Sequence, residues 1–525
     1  MGKNKGIFLI LAIGLCCSVV AQDQYYFIRF KDKGERAEAV QLTGRSIKRR
    51  IRQGIEIHES DHPVSSAYIQ KVLASGARHV YPSKWLNGIL VISTLAASSE
   101  IRELPFVSEV CPLGPVFHKP SSKNGLAQFQ TTQVLNYGNS LRQVSNLGAD
   151  KMHEAGFNGK GIFIAVFDGG FLNANTIAPL SHIYSDGRLK FTYNIVDGMS
   201  DVYVRHVHGT NVLSCLAANS LGNLIGTGFG ADFALFISED VNSERLIEEY
   251  NWLRAAEMAD SLGADIISSS LGYNVFDDAS ENHTLSQLDG KSTVITKAAE
   301  MAARKGILVV NSAGNNYAEP WSNIVFPADG DSVLAVAAVD ANGIKAPFSA
   351  VGPTFDGRIK PDVAALGIGV IVNNDGVNFI GANGTSFAAP LVSGLAAGIW
   401  SADSTLGNIQ LRSLLIRSGS SFCFANNKTG YGIPNFEKAY ALLMGQEEVS
   451  CKPNIYPNPV EDVVYVRNVY DMENEAPYSI QDINGIVLME GTFHAFHPAR
   501  LDIQDLKAGL YFLRVSGKVF KLVKH

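Results

Sequence analysis

Three side chains able to carry acyl-transfer chemistry stand in short motifs far apart in the chain. They are Asp168 in Asp168-Gly169-Gly170, His208 in His208-Gly209-Thr210, and Ser386 in Gly384-Thr385-Ser386-Phe387-Ala388-Ala389-Pro390. A hydroxyl nucleophile, an imidazole that takes its proton near neutral pH, and a carboxylate that orients the imidazole are the parts such a reaction needs. Each motif alone has an ordinary structural reading. Asp-Gly-Gly is a turn, a histidine opening a helix is commonly structural, and a serine before small residues is a helix cap. The set is more specific than its members. Ser312-Ala313-Gly314-Asn315 adds a side-chain amide that can donate to a developing oxyanion.

The apolar runs around these motifs supply the elements that must hold them. Residues 162–167, 264–267, 307–310 and 333–339 are rich in β-branched and apolar side chains, and the stretches 243–262 and 293–304 have helical length. Runs buried on both faces and separated by helices predict a parallel sheet with helices on each side. Ligands of such sheets gather at the carboxyl ends of the strands, where residues 168 and 312–315 fall. His208 begins a helix with Val212, Cys215 and Leu216 at helical spacing. Residues 391–400 continue the helix that Ser386 opens, which sets its hydroxyl at the positive end of a helix dipole.

The flanking regions differ in kind. Residues 25–118 begin with a strand at 25–30 and reach another at 85–93, a small α+β unit. Between them Arg45, Lys48, Arg49, Arg50 and Arg52, beside Ile47 and Ile51, are expected to form a solvated helix face rather than a nucleic-acid patch. After a polar connector at 445–452, residues 453–525 alternate short apolar strands with Pro and Gly turns, predicting an all-β, sandwich-like module. At the other end, two lysines, an apolar run of 14 residues at 7–20 and the small Val19 and Ala21 read as a cleaved secretory signal. That run falls short of the ~20 residues a membrane span needs, and no other stretch is expected to span.

With 525 residues, 46% apolar and 18% charged, the chain is globular and long enough for several domains. Its net charge of −6 gives no general attraction to nucleic acid or anionic lipid. Cleavage would leave Cys111, Cys215, Cys423 and Cys451, spaced too widely for paired CxxC metal or redox motifs. Cys215 reads as a buried small hydrophobe, and Cys423 and Cys451 as candidates for a disulfide.

Read together, the segments AVFDGG, HGTNV, SAGNN and GTSFAAP, in the order Asp, His, Asn, Ser, resemble the subtilisin-like (subtilase) serine proteases over about residues 145–440. The resemblance implies an α/β fold with a mostly parallel sheet flanked by helices, and a serine endopeptidase working through an acyl-enzyme. By matching motif it implies that Asp168 orients His208, that His208 is general base and then acid, and that Ser386 attacks the peptide carbonyl. Asn315 and the Ser386 backbone N–H would form the oxyanion hole. Ser270, Leu271 and Gly272 match the segment that pairs with the substrate backbone, and Ala313 and Gly314 the facing wall of the primary specificity pocket. The chemistry needs no cofactor; a structural calcium is common in the family, and the acidic pairs Asp329/Asp331 and Asp277/Asp278 carry charge for one, with no ligand assigned. Two positions depart from the family pattern. Gly169 stands where serine or threonine is frequent, and Val325 where a glycine often sits, which predicts a shallow primary pocket favouring small or medium apolar side chains.

Residues 25–118, with RSIKRRIRQGI and SKWLNGILV, resemble the pro-region of a secreted subtilase subgroup. This implies a zymogen whose own pro-region is an intramolecular inhibitor. Residues 453–525, with Ile455-Tyr456-Pro457-Asn458-Pro459 and the ending from Leu506, are similar to the C-terminal sorting domain of Bacteroidetes type IX secretion cargo. The expected organisation is a signal at 1–21, a pro-region at 22–118, a peptidase domain at 119–447 and a sorting domain at 448–525. Expected partners are protein or peptide substrates and the type IX machinery, with no nucleic acid; the expected location is secreted or cell-surface. The alternatives are a catalytically inactive scaffold of this fold serving adhesion or binding, and a hydrolase of non-peptide esters. Gly226-x-Gly228-x-Gly230 is not a phosphate loop, because a strand at 233–237 follows rather than a helix. Ser386 also lacks the GxSxG elbow, position 388 being Ala.

Overall fold

The β-branched runs form one sheet of seven parallel strands. Its order is Val363–Leu366, Leu334–Val339, Leu308–Ser312, Ile266–Ser269, Phe163–Asp168, Asp232–Ile237 and Leu189–Asn194. The computed structural model describes residues 23–34, 39–116, 135–446, 454–467, 475–494, 499–515 and 517–525. The expected signal at 1–21 and Cys451 lie outside them, while Cys423 is disulfide-bonded. Alternate residues of the central strands serve two cores, as the strand period of two demands. Ile164 and Val166 pack with Val212, Leu391 and Leu395, whereas Phe167 meets the Trp252 ring edge-on at 5.3 Å on the other side.

The helices on the first face carry the chemistry. His208–Ala217 and Thr385–Ala402 are both almost wholly buried. Thr385–Ala402 has the length and hydropathy of a membrane span, but 89% of that window is buried inside the protein, so it is a core helix. Cys215 is fully buried, and burial pushes its thiol up.

Residues 23–34, 64–82 and 86–116 make a compact unit of their own. Four strands in the order Arg78–Ser83, Gly88–Ser93, Gln24–Phe30, Val107–Pro115 pack with the helices Ser66–Ala74 and Leu95–Arg102 around Tyr26, Ile28, Val72, Val91 and Ile101. The remaining N-terminal segments, residues 39–63 and 83–85, belong to the same compact unit as the peptidase sheet.

That association corrects the expected solvated face. In the helix Gly44–Arg52, Arg49 and Arg50 are each only 2% exposed, while Ile47 and Ile51 are 42% and 73% exposed. Arg50 pairs with Asp260 at 2.8 Å and Asp61 at 2.9 Å, Lys305 reaches Asp61 at 2.9 Å, and Arg49 also binds Asp260. Buried carboxylates on the helix Ile247–Leu262 and the 59–61 turn therefore reverse the polarity of the amphipathic face. Glu257 makes a second anchor, accepting from the Ser83 hydroxyl at 2.6 Å and the Trp85 N–H at 2.9 Å.

The C-terminal residues form two antiparallel sheets, Asn454–Tyr456, Val463–Arg467, Ala499–Asp502 and Val487–His494, Glu475–Gln481, Gly509–Val515, Lys518–Lys524. They share one core that includes Val464, Val466, Ile480 and Leu513, a small sandwich.

Candidate active site

Asp168 is the last residue of its strand and fully buried. Its carboxylate accepts the His208 Nδ1–H at 2.9 and 3.0 Å and the Gly169 N–H at 2.8 Å. Because Nδ1 faces an acceptor, it carries the proton and Nε2 is left as the basic nitrogen. The imidazole lies this close because position 209 is glycine. A Cβ there would stand 2.4 Å from the Gly170 carbonyl oxygen and 2.9 Å from Asp168 Cβ. Burial alone would lower the His208 pKa, but the Asp168 carboxylate, with Glu239 adding, outweighs it and holds the ring above its ordinary value. The absence of a side chain at 169 also has a steric reason: a Cβ there would come within 2.5 Å of Val241 Cγ1.

Ser386 is the second residue of its helix, so its N–H is one of the donors at a helix start that have no intrahelical acceptor. Four residues on, Pro390 lacks the N–H that would bond the Ser386 carbonyl. Ser270 fills this gap, its hydroxyl donating to that carbonyl at 2.8 Å, while its own carbonyl accepts the Ser386 hydroxyl at 3.4 Å. Asn315 Oδ1 accepts both the Thr385 N–H at 2.8 Å and its hydroxyl at 3.0 Å. The oxygen is thereby fixed, and the amide NH₂ is the end left to donate to a ligand.

Asp168, His208, Ser386 and Asn315 line a single cleft of about 390 Å³ together with Ser270, Leu271, Gly272, Gly314 and Val325. Ala313 does not line it. Ala313 is fully buried, its backbone joined to Val336 and Val325, so it supports the wall from behind. Val325 stands between two glycines: a Cβ on Gly272 would lie 2.2 Å from its Cγ2, and one on Gly314 3.0 Å from its Cγ1.

Several groups in the cleft escaped the sequence reading, namely Glu239, Glu244, His206 and Tyr273, with Glu248 grouped beside the two glutamates. The one cue was the acidic spacing at 239, 244 and 248, spread between a strand end and a helix start. Burial pushes the carboxyl of Glu239 up to about 7, with Asp168 adding, and those of Glu244 to about 8 and Glu248 to about 10, with neighbouring glutamates adding. Of the acids singled out earlier, Asp331 is exposed with Arg358 at 4.0 Å, and the other three accept from protein donors. Asp329 accepts from Gly290 and Thr296, Asp277 from the Glu244 N–H, and Asp278 from Ser280.

Three regions of the chain resemble known protein families. The subtilase family model matches residues 159–437, just over half of the chain. A model of the peptidase S8 propeptide domain of Bacteroidota matches residues 25–126, and a secretion system C-terminal sorting domain matches residues 454–525. Subtilisin DY of Bacillus licheniformis is 30% identical over 313 residues, covering 58% of this chain and 99% of the relative. Subtilisin BL of Lederbergia lenta is 28% identical, covering 56% and 97%. Alkaline elastase YaB of a Bacillus species is 27% identical, covering 60% and 72%.

Proposed function

We propose that this chain, which belongs to the subtilase family of serine endopeptidases, hydrolyses peptide bonds through an ester formed on Ser386. As Ser386 Oγ bonds to the peptide carbonyl carbon, His208 Nε2 takes its proton. The Asn315 amide and the Ser386 N–H donate to the oxyanion of the tetrahedral intermediate. His208 then gives the proton to the departing amine as the C–N bond breaks, and water repeats the sequence to release the acid. Asp168 stays ionised throughout and stabilises the imidazolium. The observation that carries the reading is the Asp168–His208 hydrogen bond opening on the cleft that Ser386 and Asn315 also line.

The chain is a serine peptidase with a propeptide domain and a sorting domain, hence a secreted or cell-surface protein. Its synthesis as a zymogen restrained by residues 22–118, and its export by a type IX system, extend that reading. The space taken by Val325 favours small or medium apolar side chains immediately before the cut.

A fluorophosphonate probe tests the chemistry. The processed protein is expected to label covalently, and Ser386→Ala to abolish both labelling and casein hydrolysis. Unlabelled processed protein would mean a silent scaffold, while turnover of simple esters without casein would mean an esterase.

A further inference from the structure

Beyond the triad, the cleft holds carboxyl groups that take no part in making or breaking bonds. Glu239 and Glu244 line it, and an oxygen from each of Glu239, Glu244 and Glu248 lies within 4.8 Å of the others. Glu248 is 1% exposed, and among the described residues neither of its carboxylate oxygens has a hydrogen-bond partner. Tyr273, on the cleft wall and also 1% exposed, has an unpartnered hydroxyl. After burial itself, Glu248, Glu239 and Glu244 are the charges that most raise that phenol's pKa. Arg245, the cation within this stretch, is committed to Glu281 at 3.0 Å.

Three neighbouring carboxyls and a buried hydroxyl without a counter-charge are costly, because both desolvation and mutual repulsion oppose ionisation. A cation entering among them would relieve both. We propose that Glu239, Glu244, Glu248 and Tyr273 form a subsite for a lysine or arginine side chain of the peptide substrate, separate from the primary pocket at Val325. This rests on the reading of the cleft as a peptidase site. Glu239 and Glu244 open on the space lined by Ser270, Leu271 and Gly272 that a bound peptide would follow, with Glu248 behind them. A guanidinium brings five donors and an ammonium three, which suits several carboxylate oxygens around a pocket. Calcium takes a shell of six to eight oxygens, whereas the group brings together one oxygen from each of three glutamates.

The test uses processed enzyme and a peptide library, followed by paired peptides carrying arginine or norleucine at the position the library selects. Lysine and arginine are expected at one fixed position other than that immediately before the cut, with kcat/KM at least tenfold higher for arginine than for norleucine. In Glu248→Gln and, separately, in Glu244→Gln, that ratio is expected to fall toward one, with fluorophosphonate labelling of Ser386 verifying that each variant is folded. A labelled, casein-cleaving enzyme with no basic preference overturns the subsite but not the peptidase. A ratio unmoved by either variant, or calorimetric binding of calcium alone that Glu248→Gln removes, also overturns it, the latter in favour of a metal site. Absence of labelling and cleavage in the wild-type protein would instead defeat the peptidase reading itself.

Discussion

Ser270 touches the nucleophile at both ends, through a hydroxyl on the Ser386 carbonyl and a carbonyl at the Ser386 hydroxyl. Ser270→Ala would leave the carbonyl unpaired in a buried helix start, a loss of about 1–3 kcal/mol. With each 1.36 kcal/mol worth a factor of ten, kcat is expected to fall about tenfold while KM changes little. Pro390→Ala restores a backbone donor four residues on, so the double variant should regain part of kcat; steady-state kinetics on one peptide checks both. His208 must be neutral to accept the Ser386 proton, and the Asp168 and Glu239 carboxylates hold its pKa above the ordinary 6.5. Activity should therefore rise with pH through a midpoint above 6.5, the unperturbed histidine value. The His206 ring lies beside it, its Nδ1 accepting the His208 backbone N–H at 3.2 Å. Glu239→Gln removes one negative neighbour, so the midpoint of the kcat/KM profile should move to lower pH.

The elements were largely legible, and the reason is local. Strands expected at 162–167, 307–310 and 333–339 form at Phe163–Asp168, Leu308–Ser312 and Leu334–Val339, because β-branched runs buried on both faces carry their own pattern. Asp168, His208, Asn315 and Ser386 were legible through motifs held by glycine turns and helix starts. Arg49 and Arg50 were not, since their polarity is reversed by Asp260, more than 200 residues away, and no local pattern encodes such a partner. The glutamate group was missed for the same reason: its meaning lies in a shared cavity. For the helix Gly44–Arg52, Arg50→Met would leave Asp260 and Asp61 short of a buried counter-charge, a change worth about 3–5 kcal/mol. Measured on uncut chain carrying Ser386→Ala, the thermal midpoint should drop clearly. An unchanged midpoint would show that these pairs do not hold the segment.

At the scale of the whole molecule, three matched regions divide the labour: residues 25–126 as propeptide, 159–437 as peptidase and 454–525 as sorting domain. The C-terminal sandwich has its own core, with Val464, Ile480, Leu501 and Leu513 buried together, so its removal should leave the catalytic sheet intact. Deleting residues 454–525 is expected to abolish appearance in the medium while the cell-retained protein still labels with fluorophosphonate. Immunoblots of cell and medium fractions read the first result, and in-gel fluorescence the second. N-terminal sequencing of the exported wild-type form then shows whether residues 25–126 are removed.

The Asp260 seat also determines which surroundings can unlatch residues 39–63. Its ion pairs are buried, so dissolved salt, which screens exposed charges over about 8–10 Å, barely reaches them. Acid is a poor key as well. The Asp61 carboxyl is opposed by burial but held down to about 2 by Arg50, the His58 N–H and Lys305. Its contribution is complete above the ordinary 3.8 and is surrendered only as pH falls toward 2. The clasp formed by Arg49, Arg50, Asp61 and Asp260 is thus indifferent to moderate changes of salt and of mild acidity alike.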